Sequence, residues 1–150
     1  MQFLKNYSNR ELNIWAELFL DLIVSIYFLP KFFFLIKNGN MYTYDSIILI
    51  STTIFISIAY SIVVFVIINL FIESEKKDER DYIFELKSYK ASNSIFQISI
   101  LFLICSIIFN PLSSHYEFTP TFVAALLIII TLFCSAGKSV SLLYFYRRSI

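Results

Sequence analysis

The chain has 150 residues, of which 58% are hydrophobic, and its formal net charge is +1. Soluble domains are usually about 45–50% apolar, so this composition indicates a membrane protein whose main partner is the lipid bilayer. The small net charge excludes a general nucleic-acid binder, which would carry a large basic excess.

Four apolar stretches qualify, or nearly qualify, as membrane spans, each of which needs about 20 mostly apolar residues. They run from about 12 to 36, 47 to 72, 92 to 110 and 121 to 146. The charged segment from about 73 to 91 predicts a further helical stretch outside the bilayer. With short connections, this pattern predicts an all-α fold: an integral membrane antiparallel four-helix bundle in one domain, 1–150.

The basic residues predict the orientation of the spans. Nine of the 12 would lie on one side of the membrane. Because basic residues favour the cytoplasmic side, we expect both termini and the 73–91 segment to be cytoplasmic. These nine residues are Lys5, Arg10, Lys76, Lys77, Arg80, Lys87, Lys90, Arg147 and Arg148.

The first span carries two carboxylates, Glu17 and Asp21, within the sequence WAELFLDLI. A spacing of four residues places them on one helix face, about 6 Å apart along the axis. A charge inside a membrane usually faces the bundle or water and finds a partner. Lys138 is the only basic residue within the fourth span, at a similar expected depth. We therefore expect Lys138 to contact Glu17, Asp21 or both, aided by the small residues at 135–139.

Two carboxylates against one lysine leave several interpretations open. The cluster of Glu17, Asp21 and Lys138 could be an ion pair that fixes helix register, or its carboxylates could be hydrated near the surface. It could also share a proton and handle protons or cations. A carboxylate in the first of four helices is similar to the layout of the small multidrug resistance transporters. This chain is longer, however, and lacks the glycines of those helices.

The charged segment before the third span predicts an amphipathic helix. Asp78 is suited to cap its start, and Tyr82, Ile83 and Leu86 form an apolar stripe at helical spacing. The segment is interpreted either as a linker helix at the membrane surface or as a docking surface for a cytosolic protein. The candidate docking residues are Asp78, Glu79, Arg80, Asp81, Glu85 and Lys87.

A third interpretation is a divalent-cation site, because Asp78, Asp81 and Glu85 share a helix face. Such carboxylates usually form only a solvated face, so no metal site is assigned. No nucleophile–base pair, phosphate-binding glycine loop or zinc-type ligand set is present in the sequence. We therefore predict no catalytic residues, no cofactor and no enzymatic activity.

The sequence also resembles a group of short four-helix bacterial inner-membrane proteins. The resemblance lies in the DERD and ELK motifs before the third span and in the terminal LLYFYRR. It implies a multi-pass protein of the bacterial inner membrane with no established activity. Some members of the group are encoded beside small helix-turn-helix regulators, which implies a regulatory partner. The matching residues are Asp78, Glu79, Arg80, Asp81, Glu85, Lys87, Arg147 and Arg148.

Two functions from different classes follow. The first is a small inner-membrane protein that acts through protein contacts, in a regulatory or scaffold role. The alternative is a proton- or cation-coupled small transporter or channel subunit that uses Glu17 and Asp21. An intramembrane enzyme is a third hypothesis without a supporting constellation. A homodimer is reasonable for so small a bundle.

Overall fold

Four long α-helices make up the part of the chain that the structure describes. The computed structural model describes residues 9–39, 44–71, 78–113 and 118–148. The helices are α1 (Asn9–Lys37), α2 (Tyr44–Phe71), α3 (Glu79–Ser113) and α4 (Pro120–Arg148). Each of the four is long and apolar enough to cross a membrane, by length and composition. The all-α prediction is confirmed, and the helices are those of a multi-pass membrane protein.

The helix boundaries differ from the sequence expectation mainly at α3. The predicted cytoplasmic segment and the predicted third span are one continuous helix from Glu79 to Ser113. Residues 72–77, where the second span and the charged segment were expected to meet, lie outside the described residues. The remaining described helix ends lie within three residues of their expected positions.

Side chains cap the starts of α3 and α4. The backbone N–H of Asp78 donates to Asp81 Oδ2 at 2.8 Å, which is the reciprocal bond of a capping box. At α4, the backbone N–H of Phe122 donates to Thr119 Oγ1 at 3.0 Å, and Pro120 occupies the first helical position. These residue types explain why the two helices begin where they do.

The helices pack in a row in the order α2, α1, α4, α3. α4 lies against α1, α3 and, less extensively, α2, whereas no Cα atom of α2 lies within 8 Å of α3 in the described residues. The arrangement is therefore open between α2 and α3, unlike a closed bundle. Only 6% of the apolar window of α3 is buried within the chain. In a bilayer an uncovered apolar face is stable, because lipid chains are as apolar as leucine.

The packed core lies in the second half of α1. The Phe32 ring stacks on Phe28 and on Phe122 of α4, with centroids 5.6 Å and 6.0 Å apart. The first half of α1 carries Glu17 and Asp21, so these two carboxylates lie apart from the core along the helix. The buried core cluster consists of Phe28, Phe32, Leu35, Leu49 and Ala125.

Small residues let α4 approach both of its main neighbours. A Cβ atom added at Gly137 would lie 2.8 Å from Ile95 Cδ1 of α3. The Ser92 hydroxyl of α3 donates to the Cys134 carbonyl at 2.9 Å. Ser139 is fully buried and faces α1 instead, where it bonds to Glu17. The small residues expected to serve the α1 contact therefore serve two contacts.

Substitution at Gly137 tests the close approach of α3 and α4. Gly137→Ala should change the free energy of unfolding by no more than about 1 kcal/mol, because the Ile95 terminus can move and alanine favours helix. Gly137→Leu should destabilise the protein by about 1–3 kcal/mol through overpacking. Denaturant unfolding in lipid bicelles measures both, with Val140→Leu on an exposed site as the control. Equal stability of the alanine and leucine variants would contradict the packing.

Candidate functional site

An ion pair joins α1 to α4. Lys138 Nζ lies 3.2 Å from Glu17 Oε2, and the Ser139 hydroxyl donates to the same oxygen at 3.2 Å. The side chains of Lys138 and Glu17 are 23% and 47% exposed. Lys138 Nζ also lies 5.1 Å from the centroid of the Tyr89 ring on α3. Of the two carboxylates considered in the sequence, Glu17 is the one that Lys138 contacts.

Asp21 occupies a different environment from Glu17. It is only 7% exposed, and its Oδ2 atom has no hydrogen-bond partner among the described residues. Ser135 and Lys138 of α4, together with Glu17, are the polar groups nearest to Asp21 that act on its carboxylate. Buried polar atoms are nearly always paired. An unpaired carboxylate oxygen therefore makes Asp21 the position at which proton binding should be tested.

A cleft of about 490 Å³ opens beside the ion pair, and residues of all four helices line it. α1 and α4 form its floor. α2 and α3, whose described Cα atoms stay more than 8 Å apart, form its walls. The volume is typical of ligand pockets, which span about 300–1,000 Å³. The charged and aromatic side chains in the lining are Glu17, Glu85, Lys138, Tyr60, Tyr89 and Tyr146.

The start of α3 is attached to the end of α4. The Tyr146 hydroxyl donates to Asp81 Oδ1 at 2.8 Å, and Asp81 is buried. The Phe84 ring stacks on Phe145, with centroids 6.1 Å apart. Asp81, a candidate docking residue from the sequence, therefore caps α3 and holds it to α4 rather than facing outward.

The other candidate docking residues divide between the exposed surface of α3 and the cleft. Asp78 and Arg80 form an exposed ion pair at 3.6 Å, and Glu79 is exposed beside them. Lys87 is exposed, with its Nζ 5.6 Å from the Phe145 ring centroid. Glu85 lines the cleft, which brings it to the same cavity as Glu17. The structure thus joins two regions that the sequence treats as separate sites.

The cleft also contains residues that sequence reasoning missed. Tyr60 lies in α2, where its hydroxyl donates to the Ala16 carbonyl of α1 at 3.2 Å. Tyr89 and Tyr146 approach from α3 and α4. A tyrosine in the middle of an uncharged span is the one local signal that could have indicated Tyr60. No feature of the sequence near Tyr60 relates it to Tyr89 or Tyr146.

The carboxylates of the α3 start do not form a cation site. No group of three or more His, Cys, Asp or Glu residues within the described part of the chain is placed to hold a metal ion. Asp81 is committed to the helix cap and to Tyr146, and Glu85 lies at the cleft. The interpretation of Asp78, Asp81 and Glu85 as a divalent-cation site therefore has no geometric support.

Comparison with known proteins gives no match for this chain among family models, curated proteins or solved structures. The resemblance to short inner-membrane proteins with a DERD-type segment stays a prediction.

Removal of the Lys138 charge tests the ion pair. Lys138→Met should lower the free energy of unfolding by about 1–3 kcal/mol, because Glu17 would keep its charge without its cation. Adding Glu17→Gln to this variant should restore part of the loss, which a double-mutant cycle measures in bicelles. Lys90→Met, at an exposed lysine of α3, is the control. A Lys138→Met protein as stable as the wild type would contradict a stabilising pair.

Proposed function

We propose that the protein is a multi-pass protein of the bacterial inner membrane, with antiparallel helices and cytoplasmic termini. Two contacts support the antiparallel order: Glu17 near the start of α1 meets Lys138 near the end of α4, and Phe32 meets Phe122 near the start of α4. The distribution of basic residues supports the orientation. The bacterial location rests on the sequence resemblance.

In this placement the start of α3 projects into the cytoplasm. With 35 residues, α3 is about 52 Å long, whereas the hydrocarbon core is about 30 Å thick. Every charged residue of α3 lies between Glu79 and Lys90, and none follows. The projecting part is therefore residues 79–91, about 19 Å of helix.

The protein acts, in this proposal, through protein contacts at the projecting part of α3. The observation that carries the proposal is an exposed apolar row outside the apolar span: Tyr82, Ile83 and Leu86 are 59%, 50% and 56% exposed. Asp81 and Phe84 hold another face of the same segment against α4. A positioned helix with an apolar row suits recognition in a hydrophobic groove. The partner is a cytosolic protein with such a groove, in a regulatory or scaffold role without a catalytic step.

A photo-crosslinking experiment in cells tests this surface. A benzophenone amino acid at position 83 should give one discrete protein adduct, and Leu86→Glu should remove it because a charge opposes apolar docking. Glu79→Gln, on the same segment, should leave the adduct unchanged.

The probe at position 102, where Phe102 is exposed in the apolar span, gives the comparison for contact with lipid. Protein adducts at 83 but only lipid adducts at 102 are expected. Lipid adducts alone at both positions would refute the docking proposal. An adduct with twice the mass of the chain would identify a second copy as the partner and support a homodimer.

A proton- or cation-coupled transporter or channel subunit is the second candidate. The cleft reaches Glu17, and Asp21 lies one turn further along α1 with an unpaired oxygen in the described structure. A carboxylate inside a membrane span is a candidate for proton transfer when it lacks a full set of hydrogen-bond partners. This arrangement supports a route from the cleft to Asp21.

Proton flux into liposomes tests the second candidate. The wild-type protein should dissipate an imposed pH gradient, and Asp21→Asn should abolish this flux while Glu79→Gln keeps it. The Asn variant should stay folded, with stability equal to the wild type or about 1–3 kcal/mol greater, because a buried unpaired carboxylate is removed. No flux above protein-free liposomes for the wild type would eliminate this candidate and leave the docking proposal intact.

A further inference from the structure

We propose that the cleft binds the headgroup of a zwitterionic phospholipid that carries an ammonium group, of the phosphatidylethanolamine class. This inference rests on the membrane placement proposed above, and it needs neither the docking partner nor the transport route. Its basis is the position of the cleft, the charge of its lining and the gap between α2 and α3.

The cleft opens on the side that lies between α2 and α3. Tyr60, Ser61 and Val64 of α2 form one wall, and Glu85 and Tyr89 of α3 form the other. No Cα atoms of the described parts of these helices come within 8 Å of each other. With the helices across a bilayer, this opening faces lipid. The acyl chains of a bound lipid would occupy the gap while its headgroup lies in the cleft.

The ion pair lies at the depth of lipid headgroups. Glu17 precedes the last residue of α1 by 20 positions, and Lys138 follows the first residue of α4 by 18. These spacings correspond to about 30 Å and 27 Å of helix, close to the roughly 30 Å hydrocarbon thickness. Leu20 lines the deeper end of the cleft, and Glu85 and Tyr146 lie further toward the cytoplasm.

The lining suits an ammonium group. Its charged residues are two carboxylates, Glu17 and Glu85, and one lysine, Lys138. Both hydrogen bonds that Glu17 receives end on Oε2, and Oε1 receives none within the described residues. Tyrosine rings attract ammonium groups, and the Tyr89 ring already faces Lys138 Nζ. A bound ammonium group could therefore contact both Glu17 Oε1 and the tyrosine rings of the lining.

The lining also suits the phosphate of the same headgroup. Lys138 has three N–H donors, of which the bond to Glu17 uses one. A phosphate beside Lys138 would receive a charge-assisted hydrogen bond. A free amine would contact only negatively charged groups of the lining. A zwitterionic lipid would contact both the negative groups and Lys138, and its acyl chains would fill the lateral opening. These two features favour the lipid.

Lipid retention from nanodiscs tests the proposal. The full chain is reconstituted in equal amounts of phosphatidylethanolamine and phosphatidylglycerol with identical acyl chains, extracted mildly, and examined by native mass spectrometry. The wild type should retain phosphatidylethanolamine with about tenfold preference, the effect of one charge-assisted contact. Glu17→Gln should abolish the preference. Ser61→Phe, which fills the cleft without a change of charge, should reduce the amount of retained lipid.

Glu79→Gln, an exposed carboxylate outside the cleft, is the control and should behave as the wild type. Equal retention of the two lipids by the wild type, or a preference that survives both cleft variants, would overturn the proposal. Retention of a long-chain alkylamine from phosphatidylglycerol nanodiscs, without preference between phospholipids, would identify a free amine and refute the lipid source. Failure of the wild type to enter nanodiscs would overturn both this inference and the membrane placement.

Discussion

The ion pair between Glu17 and Lys138 joins the two helices on which the other two pack. A partly exposed ion pair contributes only about 0–1 kcal/mol in water. Where apolar side chains surround the pair, leaving Glu17 or Lys138 without its partner is worse, because an unpaired charge there is costly. The pair therefore specifies which residue of α1 lies opposite which residue of α4. A shift of one residue would rotate Glu17 by about 100° and separate the charges. The positions of α2 and α3 depend on this register.

An open row of helices, rather than a closed ring, follows from how α4 distributes its contacts. Gly137 allows α3 to approach on one face, and Ser139 allows α1 to approach on another. With α1 and α4 in the middle, α2 and α3 lie at the two ends, and their described Cα atoms stay more than 8 Å apart. The cleft is the consequence, because its walls belong to helices that only the floor connects. In water such an opening would expose apolar surface, whereas in a bilayer lipid can fill it.

The sequence predicts the helices well because long apolar runs have few alternative structures in a membrane. It also predicts the partner of Glu17, since Lys138 is the only lysine in the fourth span. It divides α3 into two parts, because composition changes near residue 91 while the backbone continues as one helix. The cleft could not be predicted. α2 is apolar on every face, so its sequence does not indicate which face packs, and the approach of Tyr60 to α1 depends on that packing.

The cleft and the projecting start of α3 are connected through Tyr146. Its ring lines the cleft, and its hydroxyl holds Asp81, which in turn caps α3 through Asp78. Glu85 belongs to both regions, since it lies on the projecting helix and in the lining. A ligand in the cleft would touch Tyr146, whose hydroxyl holds the helix segment that carries the exposed apolar row of Tyr82, Ile83 and Leu86. The sequence separates a charge cluster from a docking segment, but in the folded chain they are neighbouring parts of one structure.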